Sequence, residues 1–242
     1  MITNNEIKHI RSLSQKKHRQ IAGEFIAEGQ KLINDIISSG MLLKKIYTTD
    51  VSDFTNTENI IVEHISEKQL SQISNLKTPH KALAIVKIQD NNFDIKYAEK
   101  EWVLALDNIN DPGNLGTIIR TADWFGIKHI LCSADTVDVY NPKVVQSTMG
   151  SIARVKVHYL DLKETLATMD SPIYGAYMEG ENIKNLDLGS NGVILVGSEA
   201  NGISSEVEDV ITQKISIPRT NKGAESLNAA IATAILCYQI RN

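Results

Sequence analysis

The stretch WVLALDNINDPGNLGTIIRTA (102–122) decides how this chain is read. Its first six residues, WVLALD, read as an apolar strand of five residues closed by Asp107, the pattern of a strand buried in a parallel sheet. A polar loop rich in Asn and Gly follows, and helical periodicity then runs from Leu115 to Phe125. Strand, loop and helix in that order build an α/β sheet, and ligands of such sheets bind where strands end in loops. Further strands are predicted downstream at HILCS (129–133), RVKVHYL (154–160), IYGAYM (173–178), GVILVG (192–197) and KISIP (214–218). Helices are predicted between them over Val144–Ile152, Leu162–Met169 and Glu206–Ile211, covering both faces of the sheet. The terminal SLNAAIATAILCYQI (226–240) is apolar nearly all round, as in a helix buried over most of its surface.

Upstream, residues 1–90 read as a separate small α/β domain. Helical periodicity covers Phe25–Ile37 and stops at Gly40, while KKIYTTD (44–50) and KALAIVKI (81–88) are strand candidates. The polar, aperiodic QDNNFDIKYAEK (89–100) contains the linker, taken as 91–100, and 101–242 is the second domain. At 42% hydrophobic and 22% charged, the 242 residues have the composition of a globular protein. No apolar run approaches the roughly 20 residues that span a bilayer. The polar, basic N-terminus is not that of a signal peptide, so the cytoplasm is the expected compartment. Cys132 and Cys237 lie in apolar runs and read as core positions. The net charge of −4 counts against a nucleic-acid partner, but the first twenty residues carry Lys8, Arg11, Lys16, Lys17 and Arg19 against Glu6 alone. That cluster is either a solvated helix face or the place where RNA phosphates are met, with Lys16, Lys17 and Arg19 as the contacts.

Three loops rich in Asn, Gly and Ser follow strands of the second domain: 107–122, GSEANGIS (197–204) and RTNKGAESLN (219–228). Each alone reads as a turn, whereas three on one sheet edge read as a site. No GxGxxG follows the first strand and no GxxxxGK[ST] occurs, which excludes the usual dinucleotide and P-loop sites. The six histidines are scattered without metal-ligand spacing, and Ser198 lies in GSE, not in a hydrolase GxSxG. Together and in this order, the loops resemble those of the SpoU (TrmH) family of RNA ribose methyltransferases, in the SPOUT superfamily. NINDPGNLGTIIRTA matches the first motif with Asn114 and Arg120 in place, VGSEANGIS the second with Glu199, and IPRTNKGAESLN the third, ahead of a terminal helix. NPKVVQSTMGSI (141–152) is similar to the helix between the first two motifs. The resemblance covers about 101–242, and KKHRQIAGEFIAEGQKLI (16–33) resembles the ribosomal-protein-like substrate-binding domain of many members. In the third motif Arg219 stands where the family has Met, and Gly223 comes late, which bears on cofactor contact.

The resemblance implies an α/β fold with a SPOUT-type parallel sheet and C-terminal trefoil knot, preceded by a small α/β RNA-binding domain. It implies a homodimer with RNA lying across both subunits, and S-adenosylmethionine held in the knot loops by Gly197, Ile217 and Leu227, without metal. The reaction it implies is methyl transfer to a ribose 2′-hydroxyl of ribosomal RNA or else tRNA. Site residues carried over for catalysis are Arg120, Asn114, Glu199, Ser226 and Asn228. Arg120 acts either as a base or, since its pKa above about 12 resists deprotonation, as a fixed cation gripping a phosphate and stabilising the forming alkoxide. Asn114 reads as the cap of the helix carrying Arg120, with its amide on Arg120 or the ribose. Glu199 is either an exposed turn acid or the carboxylate that aims Arg120. Ser226 reads as the N-cap of the last helix, with Asn228 in its first turn. With aromatics at 5%, recognition rests on RNA shape and phosphates, not on base stacking. Two rivals remain. A non-catalytic RNA-binding or ribosome-assembly protein on the same fold is countered by the intact motif set. A small-molecule methyltransferase leaves the basic N-terminal domain without a purpose.

Overall fold

The computed structural model describes residues 2–54, 57, 60–89, 92–221, 223 and 225–241. The chain divides into two compact units, 1–90 with 138–154, and 91–137 with 155–242. The boundary expected between 90 and 91 falls on two residues outside the described ones.

The first unit holds α1 (Asn4–Ser12), α2 (Lys16–Ala22), β1 (Glu24–Glu28), α3 (Gln30–Ser38), β2 (Leu43–Thr48), β3 (Ile61–His64), α4 (Glu67–Ile73) and β4 (Ala82–Lys87). Its four strands form one mixed sheet in the order β1-β4-β2-β3. The single helix expected over Phe25–Ile37 is instead a strand and a helix. All five residues of β1 are buried and pair antiparallel with β4, where Phe and Ile fit better than in a helix. Gly29 then breaks the chain at φ 105, a conformation open to glycine, before α3 begins. Gly40 follows α3 at φ 79, the left-handed residue expected just past a helix end.

Arg19 corrects the reading of the basic segment. It is 2% exposed, its Nε donates to Asp138 Oδ2 at 3.0 Å, its Nη2 donates to the same oxygen, and its Nη1 donates to the Leu13 carbonyl at 2.9 Å. A guanidinium so enclosed cannot meet an RNA phosphate. Lys16 and Lys17 are exposed. The Arg19–Asp138 pair, with Phe25 packed on Tyr140 at 4.7 Å between ring centroids, explains why 138–154 belongs to this unit despite its place in the chain.

The second unit opens with β5 (Trp102–Asp107), α5 (Pro112–Trp124) and β6 (His129–Cys132). After α6 (Pro142–Ser147) in the first unit, it resumes with β7 (Lys156–Tyr159), α7 (Leu162–Ala167), β8 (Ile173–Asn182), β9 (Gly192–Gly197), α8 (Ser205–Glu208), β10 (Gln213–Ser216) and α9 (Ala229–Gln239). The six strands form a wholly parallel sheet in the order β10-β8-β9-β5-β6-β7. Every residue of β5 is buried, as its unbroken apolar run requires. β5 and β9 are neighbours in register from Trp102 opposite Gly192 to Asp107 opposite Gly197, so the loops after them leave the sheet at one level.

Several helix boundaries differ from expectation: α7 and α8 end at Ala167 and Glu208, short of Met169 and Ile211, and three other helices differ in ways that bear on the site. α5 is capped by Asp111, whose Oδ1 accepts the Asn114 N–H at 2.8 Å, so Asn114 lies in the first turn and is not the cap. α9 is capped by Asn228, not Ser226. α6 stops at Ser147, well short of Ile152, because Met149 (φ 52) and Gly150 (φ 98) leave the right-handed region. Nor is α9 buried all round: Leu236 and Cys237 are enclosed, while Ile231 and Tyr238 are 54% and 60% exposed.

Candidate active site

The site grows from three loop ends that the parallel sheet brings together. After β5 the chain turns at Asn108 (φ 58), whose N–H donates to Ser133 Oγ at 2.9 Å, and enters α5 through the Asp111 cap. After β9, Ser198 and Gly202 exchange backbone hydrogen bonds of 3.1 and 2.9 Å, closing a turn with Glu199 near its tip. Gly197 passes so close to Gly202 that a Cβ would lie 2.1 Å from the Gly202 carbonyl carbon, so this position tolerates only glycine. The third loop ends at Asn228, whose Oδ1 accepts the Ala230 and Ile231 N–H groups at 3.0 and 3.2 Å.

Glu199 joins the three. Its Oε1 accepts from Asn114 Nδ2 at 2.5 Å, from the Ala229 N–H at 3.1 Å and from Asn228 Nδ2 at 3.3 Å. Asn228 Nδ2 also donates to Asn114 Oδ1 at 2.9 Å. A carboxylate at the start of α9 is favoured by the helix dipole as well as by these donors. The structure thus brings together Asn114, Glu199 and Asn228. It does not bring Arg120 to them. Arg120 is exposed on α5, six residues past Asn114, which is about 120° round the helix and about 9 Å along it. It has no hydrogen bond or ion pair among the described residues; within one chain the asparagines and the start of α9 take the Glu199 carboxylate, and not the Arg120 guanidinium.

Beside this cluster lies a cavity of about 800 Å³. Gly197, Ile217 and Leu227 line it, as do Glu199, Ser226 and Arg219. Lys222 and Ala224 of the third loop lie outside the described residues. Sequence reasoning missed one wall. β8 continues past Met178 to Asn182, and Tyr177, Met178 and Glu179 face the cavity from it. The polar EGEN end of β8 hides that extension from a search for apolar runs. It also missed Asp107, a 2% exposed carboxylate whose Oδ2 accepts the Ser204 N–H at 2.7 Å. Among the described residues no group of three or more His, Cys, Asp or Glu is placed to hold a metal ion, and no helix is long and apolar enough to cross a membrane.

Comparison with known proteins places these features in a group. The profile of the SpoU rRNA Methylase family matches residues 101–238, and that of an MRM3-like substrate binding domain matches residues 4–84. The Bacillus subtilis 23S rRNA (guanosine(2553)-2′-O)-methyltransferase RlmP is 28% identical over 244 residues, covering 98% of this chain and 96% of that one. Among solved structures, a TrmH-family protein from Porphyromonas gingivalis superposes with a TM-score of 0.91 at 35% identity, covering 100% of this chain and 98% of that one. An rRNA methyltransferase from Sinorhizobium meliloti, solved with AdoMet bound, gives 0.88 at 29% identity, covering 100% and 95%.

Proposed function

Because the chain belongs to the SpoU rRNA Methylase family, we propose that it transfers a methyl group from S-adenosylmethionine to a ribose 2′-hydroxyl of structured RNA, ribosomal RNA or else tRNA. The observation that carries this reading is Glu199 binding the three motif loops together beside the cavity. The cavity suits the donor: its volume of about 800 Å³ is in the range of small-molecule sites, and its lining combines apolar walls with glycine backbone. Ile217 and Leu227 would enclose the nucleoside, with the Gly197 backbone at its edge. When bound, S-adenosylmethionine supplies an electrophilic methyl group on a sulfonium, a good leaving group that needs no metal.

The protein's own task is the hydroxyl, a poor nucleophile until its proton leaves. Arg120 serves as a permanent cation that grips the adjoining phosphate and stabilises the developing alkoxide. Since Arg120 is exposed and unattached to its own chain's cluster, the site is completed by a second copy, with RNA across both subunits. The apolar groups that α9 leaves exposed, with Trp124 of α5 at 85% exposure, support such a homodimer. The exposed Lys16 and Lys17 of α2 meet phosphates without reading sequence. We assign 1–90 as substrate-binding domain, 91–100 as linker and 101–242 as catalytic domain, with α9 threaded in a trefoil knot and the protein at work in the cytoplasm.

The test is transfer of tritiated methyl from S-adenosylmethionine to RNA, followed by ribose-methylation mapping of cellular RNA with and without the protein. A ribose methylation present only with the protein is expected. Binding of RNA with no transfer to any fraction would favour a non-catalytic role.

A further inference from the structure

Resting on that functional reading, we propose that Asp107 is a positioning residue for methyl transfer, locking the 197–204 turn to β5 and so holding Glu199 where Asn114, Asn228 and the start of α9 converge. Asp107 ends β5 opposite Gly197 and is 2% exposed. Its two oxygens have different partners: Oδ2 accepts the Ser204 N–H at 2.7 Å, and Oδ1 accepts Asn108 Nδ2 at 3.2 Å. One carboxylate therefore ties the exit of the second loop to the entry of the first. The turn itself is stiff, closed by the Ser198–Gly202 bonds and by the backbone approach of Gly197 to Gly202. Fixing its far end at Ser204 fixes Glu199 within it.

The chemistry calls for a carboxylate. Two N–H donors aim at two separate oxygens, whereas an amide has one acceptor and keeps the Ser204 bond only by turning that oxygen to it, so the decisive change removes both oxygens. Asp107→Ala removes both oxygens and with them the bond from the Ser204 N–H. The half-buried Ser204 N–H then lacks its acceptor, and the loop shifts to satisfy it.

The experiment compares wild type, Asp107→Ala, Glu199→Gln and the double variant for methyl transfer to RNA, with folding followed by circular dichroism. Asp107→Ala is expected to lower kcat by roughly tenfold or more, since misplacing reacting groups by a fraction of an ångström is enough. KM for RNA, set by contacts elsewhere, stays at the wild-type value. The double variant is expected to be no slower than Glu199→Gln alone, because both changes act through one carboxylate. Ser204→Pro removes the same N–H at φ −68, an angle that proline accepts, and is expected to repeat the drop if Asp107→Ala folds poorly. Wild-type kcat in either single variant at this contact, or losses that multiply in the double variant, would overturn the inference. No transfer by the wild type overturns the functional reading and this inference together, an outcome that the wild-type arm alone distinguishes.

Discussion

At the residue scale, Arg120 stands on the exposed side of α5 with no partner among the described residues, so its charge is available to a ligand. Arg120→Ala is expected to cut kcat by about 10²–10³-fold, the usual effect of removing one preorganised electrostatic group. S-adenosylmethionine binding, measured by calorimetry, stays unchanged because Arg120 does not line the cavity of its own chain. Arg120→Lys keeps the charge and loses the planar fork, so turnover returns only in part. Turnover near wild type in the lysine variant would show that a bidentate grip is unnecessary. Arg19 leads to the opposite expectation. Its side chain is 2% exposed against Asp138, and removing one member of a buried pair leaves the other uncompensated. Arg19→Met should cost about 3 kcal/mol in urea unfolding and leave the salt dependence of RNA binding untouched. An unfolding midpoint equal to wild type would refute the assignment.

At the scale of elements, α2 and α9 carry the interfaces. Losing Lys16 and Lys17 together should flatten the slope of log K against log salt by about 1.5, since each phosphate contact contributes about 0.7–0.9. An unchanged slope would take RNA away from α2. On α9, Ile231 is 54% exposed, so Ile231→Glu buries a charge if a second copy covers that face. Sedimentation as a monomer that still binds S-adenosylmethionine but no longer methylates RNA is the expected result; a persistent dimer would place the interface elsewhere. How far these elements could be read in advance depends on what each one buries. β5 and β9 are enclosed on both faces, so their apolar runs mark their exact limits. FIAEGQKLI misleads because four strand residues and the first turn of a helix happen to share a helical period, and Gly29 at φ 105 leaves no mark in the letters. The caps elude the sequence for a related reason. Asp111 and Asn114, or Ser226 and Asn228, are chemically equivalent candidates, and only the backbone angles decide which residue is half outside the helix. Asn114, Glu199 and Asn228 were legible through their motifs. Asp107 was not, because a carboxylate closing an apolar strand looks like the first residue of a loop.

For the whole molecule, acid should act on the two units in turn. In the second unit His129 Nδ1 lies 3.0 Å from His158 Nε2, the two rings stack at 5.2 Å, and Phe93 and Tyr97 pack against them. Burial, with the charge of His158 and the nearby Lys156 and Lys128, lowers the His129 pKa from 6.5 to about 4. The unfolded chain therefore binds a proton that the folded unit refuses, and stability falls as pH drops from about 6.5 to about 4. The first unit answers later. Burial alone would raise the Glu24 carboxyl, but hydrogen bonds from Lys87, Lys44 and His9 outweigh it and hold the pKa at about 2. Glu6 is likewise held at about 2, chiefly by its hydrogen bond from Lys45. Both contributions are complete above the ordinary value of 4.5 and are lost only as pH falls from there towards 2. Both tryptophans of the chain, Trp102 and Trp124, belong to the second unit, so their emission follows that unit alone. Urea midpoints read by tryptophan emission should fall on acidifying from neutral pH to the middle of the histidine window, and His129→Gln should remove most of that fall. An identical midpoint at the two pH values, or a full drop retained in the glutamine variant, would mean that the stacked histidines are not what makes the second unit sensitive to acid.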